Sequence, residues 1–257
     1  MRRLAVLAIV LAAAAACDGE ERAAPTGTPS TAPSPASPAP SGTITTAPSP
    51  ASPTPSGSPR PIPPAWALPI EEDVPPGELP DGALVPPGAE LTSRVELSAG
   101  GGLPDQVAVA YAVGEDPFAR EHGFAIWERF PEPPAWSVVY AFVDPPRRGV
   151  LGIRLQVGDL TGDGHDDLLV FEETGGSGAC GTWRVVAASP DDTGTAFRRK
   201  TCDAGFRIRG GALELREAVY EPDDPHCCPS AFRYATYEWN GDRFVETASR
   251  LEPADAA

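Results

Sequence analysis

The sequence predicts an all-β fold for residues 96–252, as a small antiparallel sandwich or as two to three blade-like sheets. Short runs of β-branched and aromatic residues follow one another there, and no stretch shows a sustained helical period. Turn residues separate the runs, including the hairpin-type pair Asn240-Gly241. The predicted strands are 106–113, 124–130, 136–143, 150–157, 167–172, 182–188, 195–201, 205–209, 212–219, 231–239 and 243–248.

The N-terminus predicts export. Arg2 and Arg3 precede an apolar run that ends at Ala16 and is too short to span a bilayer, which is typical of a signal peptide, residues 1–16. Small residues lead directly into Cys17, and this junction resembles the bacterial lipobox, with Ala14 where leucine is more typical. The resemblance implies that Cys17 is lipidated (palmitate among its acyl chains) and anchors the chain to the extracytoplasmic face of the cell membrane. The alternative is an ordinary secretory peptide cleaved near Ala16.

A tether and a lead-in precede the β domain. Residues 17–65 are mostly Pro, Ser, Thr and Ala, so they lack the apolar bulk for a core and are predicted to be a disordered tether. Residues 66–95 stay rich in proline but gain Trp66 and Leu68, which predicts an irregular lead-in that lies against the domain.

One motif predicts a metal site. In GDLTGDGHDDLLVF (158–171) oxygen-bearing residues occupy alternate positions, so that a tight loop turned at Gly164 could direct them inward at a hard cation. The string resembles the aspartate loop of FG-GAP and VCBS repeats, which implies a structural Ca²⁺. The alternative is a metal-free turn of Asx type. The implied ligands are Asp159, Thr161, Asp163 and Asp167 through their side chains and His165 through its carbonyl.

Four cysteines of the domain predict two disulfides, because an exported domain with an even count usually pairs them. Cys180 and Cys202 are expected side by side at the open end of a hairpin. The favoured pairing joins each of them to one member of Cys227-Cys228. The competing pairing, Cys180 to Cys202 with a vicinal 227–228 bridge, needs a strained ring.

The function class is constrained by charge and by the absence of a coherent catalytic set in the sequence. A net charge of -16 repels phosphate backbones, which argues against nucleic acid as partner. The DDPHCCPS segment (223–230) resembles lipoproteins of the LppP/LprE type. We therefore expect a non-catalytic lipoprotein domain that binds an unknown protein or glycan, or serves envelope upkeep.

The alternative function is a secreted hydrolase acting on cell-envelope carbohydrate or peptide. Its possible bases are His122, His165 and His226, each expected to be solvated, and Ser177 is the candidate nucleophile. Exposed tryptophans lining an acidic cleft would favour this enzyme. Buried tryptophans within a filled interior would favour the binding protein.

Overall fold

The computed structural model describes residues 64–71, 73–98, 104–144, 149–176, 178–188 and 193–254. Within these ranges the chain is built from strands, and the helices are two single 3-10 turns, Pro76–Glu78 and Asp81–Ala83. Neither helix is long enough to cross a membrane. The predicted signal peptide, Cys17 and the tether up to residue 63 lie outside the described residues, as does Ser177.

In the part of the chain that the structure describes, twelve strands form three four-stranded antiparallel sheets, each with neighbouring strands consecutive in sequence. This confirms the all-β prediction in its form of blade-like sheets. The strands are β1 Glu90–Leu97, β2 Gln106–Val113, β3 Glu121–Pro131 and β4 Pro134–Asp144 in the first sheet; β5 Gly152–Gly158, β6 Asp167–Gly175, β7 Cys180–Ala188 and β8 Thr193–Thr201 in the second; and β9 Ala204–Arg209, β10 Ala212–Val219, β11 Ala231–Trp239 and β12 Phe244–Pro253 in the third.

The second sheet lies between the other two, because both of its faces are apolar. Leu168 and Val170 of β6 pack with Phe124 and Ile126 of the first sheet. Leu169, on the opposite face of β6, packs against the third sheet. The run from Leu168 to Phe171 is therefore buried on both faces. A strand with apolar residues at every position needs cover on both faces, whereas a strand that alternates polar and apolar residues needs it on one.

The first sheet is also covered on both faces, and the lead-in supplies its outer cover. Leu79, Leu84 and Val85 join one cluster with Trp127 and Trp136 of the sheet. Buried indole N–H groups find backbone partners there: Trp127 Nε1 donates to the Leu84 carbonyl at 3.0 Å and Trp136 Nε1 to the Val74 carbonyl at 3.1 Å. A proline-rich segment whose cover residues lie in and around two short 3-10 turns thus completes a core.

One strand was missed by the sequence prediction. β1 begins at Glu90, inside the segment expected to be irregular, and pairs with β2 from Glu90 to Leu97 with one irregularity near Ser93. In its sequence ELTSRVEL the alternation of polar and apolar residues is interrupted at Thr92, Ser93 and Arg94, where the strand ladder is also irregular. This interruption hid the strand from a prediction based on a period of two residues.

Candidate functional site

The aspartate loop links β5 to β6 as a hairpin connection, with Gly158 opposite Asp167 in the strand register. Two glycines turn it: Gly162 has a φ of 76° and Gly164 a φ of 88°. Both values are costly for residues with a Cβ, so the loop needs glycine at these places. The predicted role of Gly164 in the turn is confirmed.

Asp167 closes the loop from inside the protein. Its side chain is 1% exposed, and its Oδ2 accepts hydrogen bonds from the Leu160 N–H at 2.9 Å and the Thr161 N–H at 2.8 Å. Oδ1 accepts from the Ala188 N–H at the end of β7, at 3.3 Å. Burial raises the pKa of Asp167, and the amide hydrogen bonds oppose that shift. One carboxylate therefore ties the loop to two strands.

The other loop acids also accept hydrogen bonds from loop amides. Asp159 takes the Gly162 N–H at 2.7 Å and the Gly164 N–H at 3.1 Å, one on each oxygen, and Asp163 takes the His165 N–H at 2.9 Å. Among the residues that the structure describes, no three acidic, His or Cys side chains are grouped so as to hold a metal. In this geometry amide donors bond to most of the aspartate oxygens offered to calcium, so an ion would have to replace some of these hydrogen bonds.

The loop lies where all three sheets come together. Asp166, which the sequence reasoning passed over, accepts from the Ser98 N–H just after β1 at 2.8 Å and donates its own N–H to the Ser98 carbonyl at 3.2 Å. On the other side, a Cβ at Gly158 would lie 3.0 Å from Ile208 of β9. The loop is thus a junction between the sheets.

The favoured disulfide pairing is wrong. Cys180 is bonded to Cys202, while Cys227 and Cys228 are free thiols. Cys180 begins β7 and Cys202 follows β8, so the strand register itself brings them together. The expected position of these two cysteines at the open end of a hairpin is confirmed. Because they lie side by side there, they bond to each other and not to the more distant Cys227 and Cys228.

The two free cysteines lie on the turn between β10 and β11. The Cys228 N–H donates to the Pro225 carbonyl at 2.9 Å, and the Asp224 carboxylate accepts from the Glu221 N–H, the Ser230 N–H and the Ser230 hydroxyl. These bonds hold the pKa of Asp224 below its ordinary value. An aspartate thus organises this turn too, and the clustered Asp and Pro residues were the sequence signal for it.

An open cavity of about 460 Å³ borders this turn. Ala179 and Asp203, the neighbours of the bonded cysteines, line it together with Cys227. Both neighbours have positive φ, 43° and 50°. The remaining lining residues are Ala204, Gly205, Arg216, Ala218, Tyr220, His226, Pro229 and Phe232. The disulfide and the free thiols therefore lie at the same end of the domain.

The candidate catalytic residues are placed on separate elements. His122 is buried in β3, which corrects the expectation that it is solvated, and burial lowers its pKa. It is buried because both faces of the first sheet are covered. His165 is half-buried in the aspartate loop and His226 is exposed beside the thiols. The three histidines are not brought together.

Comparison with known proteins gives a partial similarity. The chain is 31% identical over 94 residues to lipoprotein CseA of Streptomyces avermitilis, a match that spans 37% of this chain and 43% of that relative. No protein-family model matches the chain, and no solved structure matches it. The partial similarity supports a bacterial lipoprotein, and the FG-GAP/VCBS and LppP/LprE resemblances stay predictions.

Proposed function

We propose that the protein is an exported, membrane-anchored lipoprotein whose β domain binds a protein or glycan ligand without catalysing a reaction. The observation that carries the non-catalytic part is the filled interior. Trp127, Trp136 and Trp183 are all buried, so they belong to the core and do not line a substrate cleft. The partial similarity to a Streptomyces lipoprotein and the lipobox-like N-terminus support the anchor.

The anchor is tested at Cys17. In Cys17→Ala the thiol that would carry the lipid is absent, so the chain is expected to leave the membrane fraction and lose incorporation of labelled palmitate. Ala16→Ser is the matched control, because it keeps a small residue before the cysteine and should remain anchored. Palmitate labelling that persists in Cys17→Ala contradicts the assignment.

Binding is tested with the full mature protein on intact cells. A photo-crosslinking residue placed at His226, an exposed residue that lines the cavity, should capture one discrete partner. The same residue at Phe118, which is 80% exposed in the β2–β3 connection, is the control for nonspecific capture. Equal capture from the two positions contradicts a specific ligand at the cavity.

A hydrolase is the second candidate, favoured by the cavity that Asp203, Tyr220 and His226 border. An acid and an imidazole at one opening could assist proton transfer. The purified mature protein would then release sugars or peptides from envelope preparations, and His226→Ala would abolish the release. A turnover that survives in His226→Ala, or no turnover at all, leaves the binding protein as the better account.

We propose calcium only as an added stabiliser of the aspartate loop. The alternate spacing of Asp159, Asp163 and Asp167 supports it, while the amide hydrogen bonds to these carboxylates compete with it. An ion would have to replace some of those bonds, so the expected gain in stability is modest.

A further inference from the structure

The Sγ atoms of Cys227 and Cys228 lie 2.7 Å apart, each exposed, and one thiol donates a hydrogen bond to the other. The hydrogen bond to Cys227 is the main cause that raises the pKa of Cys228. At their separation of 2.7 Å the two sulfurs are already within about 1 Å of bonding distance, since the S–S bond of a disulfide measures about 2.05 Å. Little movement is needed to join them.

The backbone around the pair is held in place on both sides. Asp224 accepts three hydrogen bonds from Glu221 and Ser230, which closes the segment that carries the two cysteines. The Tyr220 hydroxyl donates to the His226 carbonyl at 2.8 Å, next to Cys227. The turn thus keeps both thiols at the surface and near each other.

The second cysteine pair of the domain has a different setting. Cys180 and Cys202 are already bonded and staple the ends of two paired strands, which is a structural use of a disulfide. Strained disulfides are the labile ones, and a bond between Cys227 and Cys228 would close a strained eight-membered ring, whereas the Cys180–Cys202 bond joins residues that the strand register already places together. The two pairs therefore differ in the ease with which each is reduced.

From these observations we propose that Cys227 and Cys228 form a reversible dithiol–disulfide site that exchanges with disulfides or dithiols outside the cytoplasm. One thiolate of the pair attacks an external disulfide and releases one thiolate from it. The second thiolate of the pair then attacks the mixed disulfide, forms the Cys227–Cys228 bond and releases the second external thiolate. Two electrons pass to the external disulfide, and the two protons of the pair pass to the released thiolates. This goes beyond the proposed binding function.

The test equilibrates the full mature protein in glutathione buffers of graded oxidised-to-reduced ratio, then alkylates it under denaturing conditions and maps the peptides. The peptide carrying Cys227 and Cys228 should pass from two labels to none, with the loss of two hydrogen masses and no glutathione adduct. Cys180 and Cys202 should stay unlabelled across the range in which this change occurs. Peptide mapping counts Cys17 separately.

The matched controls are Cys227→Ser and Cys228→Ser, each of which leaves one thiol. Either variant should accumulate a glutathione adduct that the wild-type chain resolves by forming the vicinal bond. Reduced wild-type protein should also bind a phenylarsenical probe, which bridges two neighbouring thiols, whereas the single variants should not.

Three results would overturn the proposal: both thiols persisting in fully oxidised buffer, a stable glutathione adduct on the wild-type chain, or a crosslink from either cysteine to Cys180 or Cys202. The measurement needs neither the anchor nor a ligand. Failure of the exchange site is therefore distinguishable from failure of the proposed lipoprotein function.

Discussion

Two connections of the domain each contain an aspartate that accepts three hydrogen bonds. They are the loop from Gly158 to Asp167 and the turn from Glu221 to Ser230. In the loop the acceptor is Asp167, whose partners are the amides of Leu160, Thr161 and Ala188. In the turn it is Asp224, whose partners all lie on Glu221 and Ser230. The same chemistry thus closes two connections.

The two connections differ in burial and in reach. Asp167 is almost completely buried and bonds to an amide 21 residues away, on a different strand. The hydrogen-bond partners of Asp224 lie within six residues of it, at the surface. Water cannot reach a buried N–H group to replace a lost acceptor. Removing the Asp167 carboxylate should therefore lower the global stability, whereas removing the Asp224 carboxylate should affect only its own turn. The aspartate loop is therefore expected to be a rigid junction, and the turn that carries Cys227 and Cys228 a surface site open to chemistry.

The largest effect is expected for Asp167→Asn. Asparagine keeps one acceptor oxygen for three N–H donors, so at least one buried donor loses its partner. The variant also removes a buried charge, whose desolvation raises the pKa of Asp167, and this removal offsets part of the loss. We therefore expect a destabilisation of about 2 kcal/mol. Urea unfolding measures it, with the exposed Asp163→Asn as control. Equal midpoints for the two variants would remove the distinction that burial makes.

Calcium is expected to have the next largest effect, and it would add a second organiser to the loop. At about 1 mM Ca²⁺ and a dissociation constant of about 0.1 mM, the folded state gains ~1.4 kcal/mol. Thermal melting with calcium and with EGTA measures this gain, and Asp159→Asn should reduce it. A midpoint that calcium leaves unchanged contradicts calcium binding at the loop. The amide hydrogen bonds alone would then hold the loop in place.

Asp224→Ala is expected to act locally. Without the carboxylate the Glu221 and Ser230 amides lose their acceptor, so their hydrogen exchange should speed up while the unfolding midpoint stays nearly constant. The alkylation rate of Cys227 and Cys228 should change with it, because the turn that positions them is released. Asp223→Ala, at an exposed neighbour, is the control. A large fall in global stability would show that the turn belongs to the core.

The smallest effect is expected from acid. Because the folded pKa of Asp224 is lowered, its contribution is fully present above the ordinary aspartate value of about 3.9 and is lost as the pH falls through the folded pKa. The protection of the Ser230 N–H, measured as its exchange rate relative to the intrinsic rate at the same pH, should therefore fall below about pH 4 in the wild-type chain. Asp224→Ala should not show this fall. A pH profile shared by both proteins contradicts the assignment to Asp224.

The strand pattern of residues 106–248 could be predicted from the sequence because β-branched and aromatic runs alternate there with turn residues. β2, β10 and β11 have the predicted bounds. β1 was missed because three successive polar residues, 92–94, interrupt its alternation of polar and apolar residues. The glycine-turned aspartate loop was also predicted, since its spacing is local, whereas the direction of each carboxylate depends on which amides surround it.

The sequence alone determined the β-rich class, the aspartate loop and the juxtaposition of Cys180 with Cys202. Each depends on residues close in the chain. Only the tertiary structure decided which face of β6 meets which sheet, that the lead-in completes the first core, and that Cys227 and Cys228 stay as free thiols beside each other at the surface. These outcomes depend on contacts between distant segments, whose packing no local period encodes.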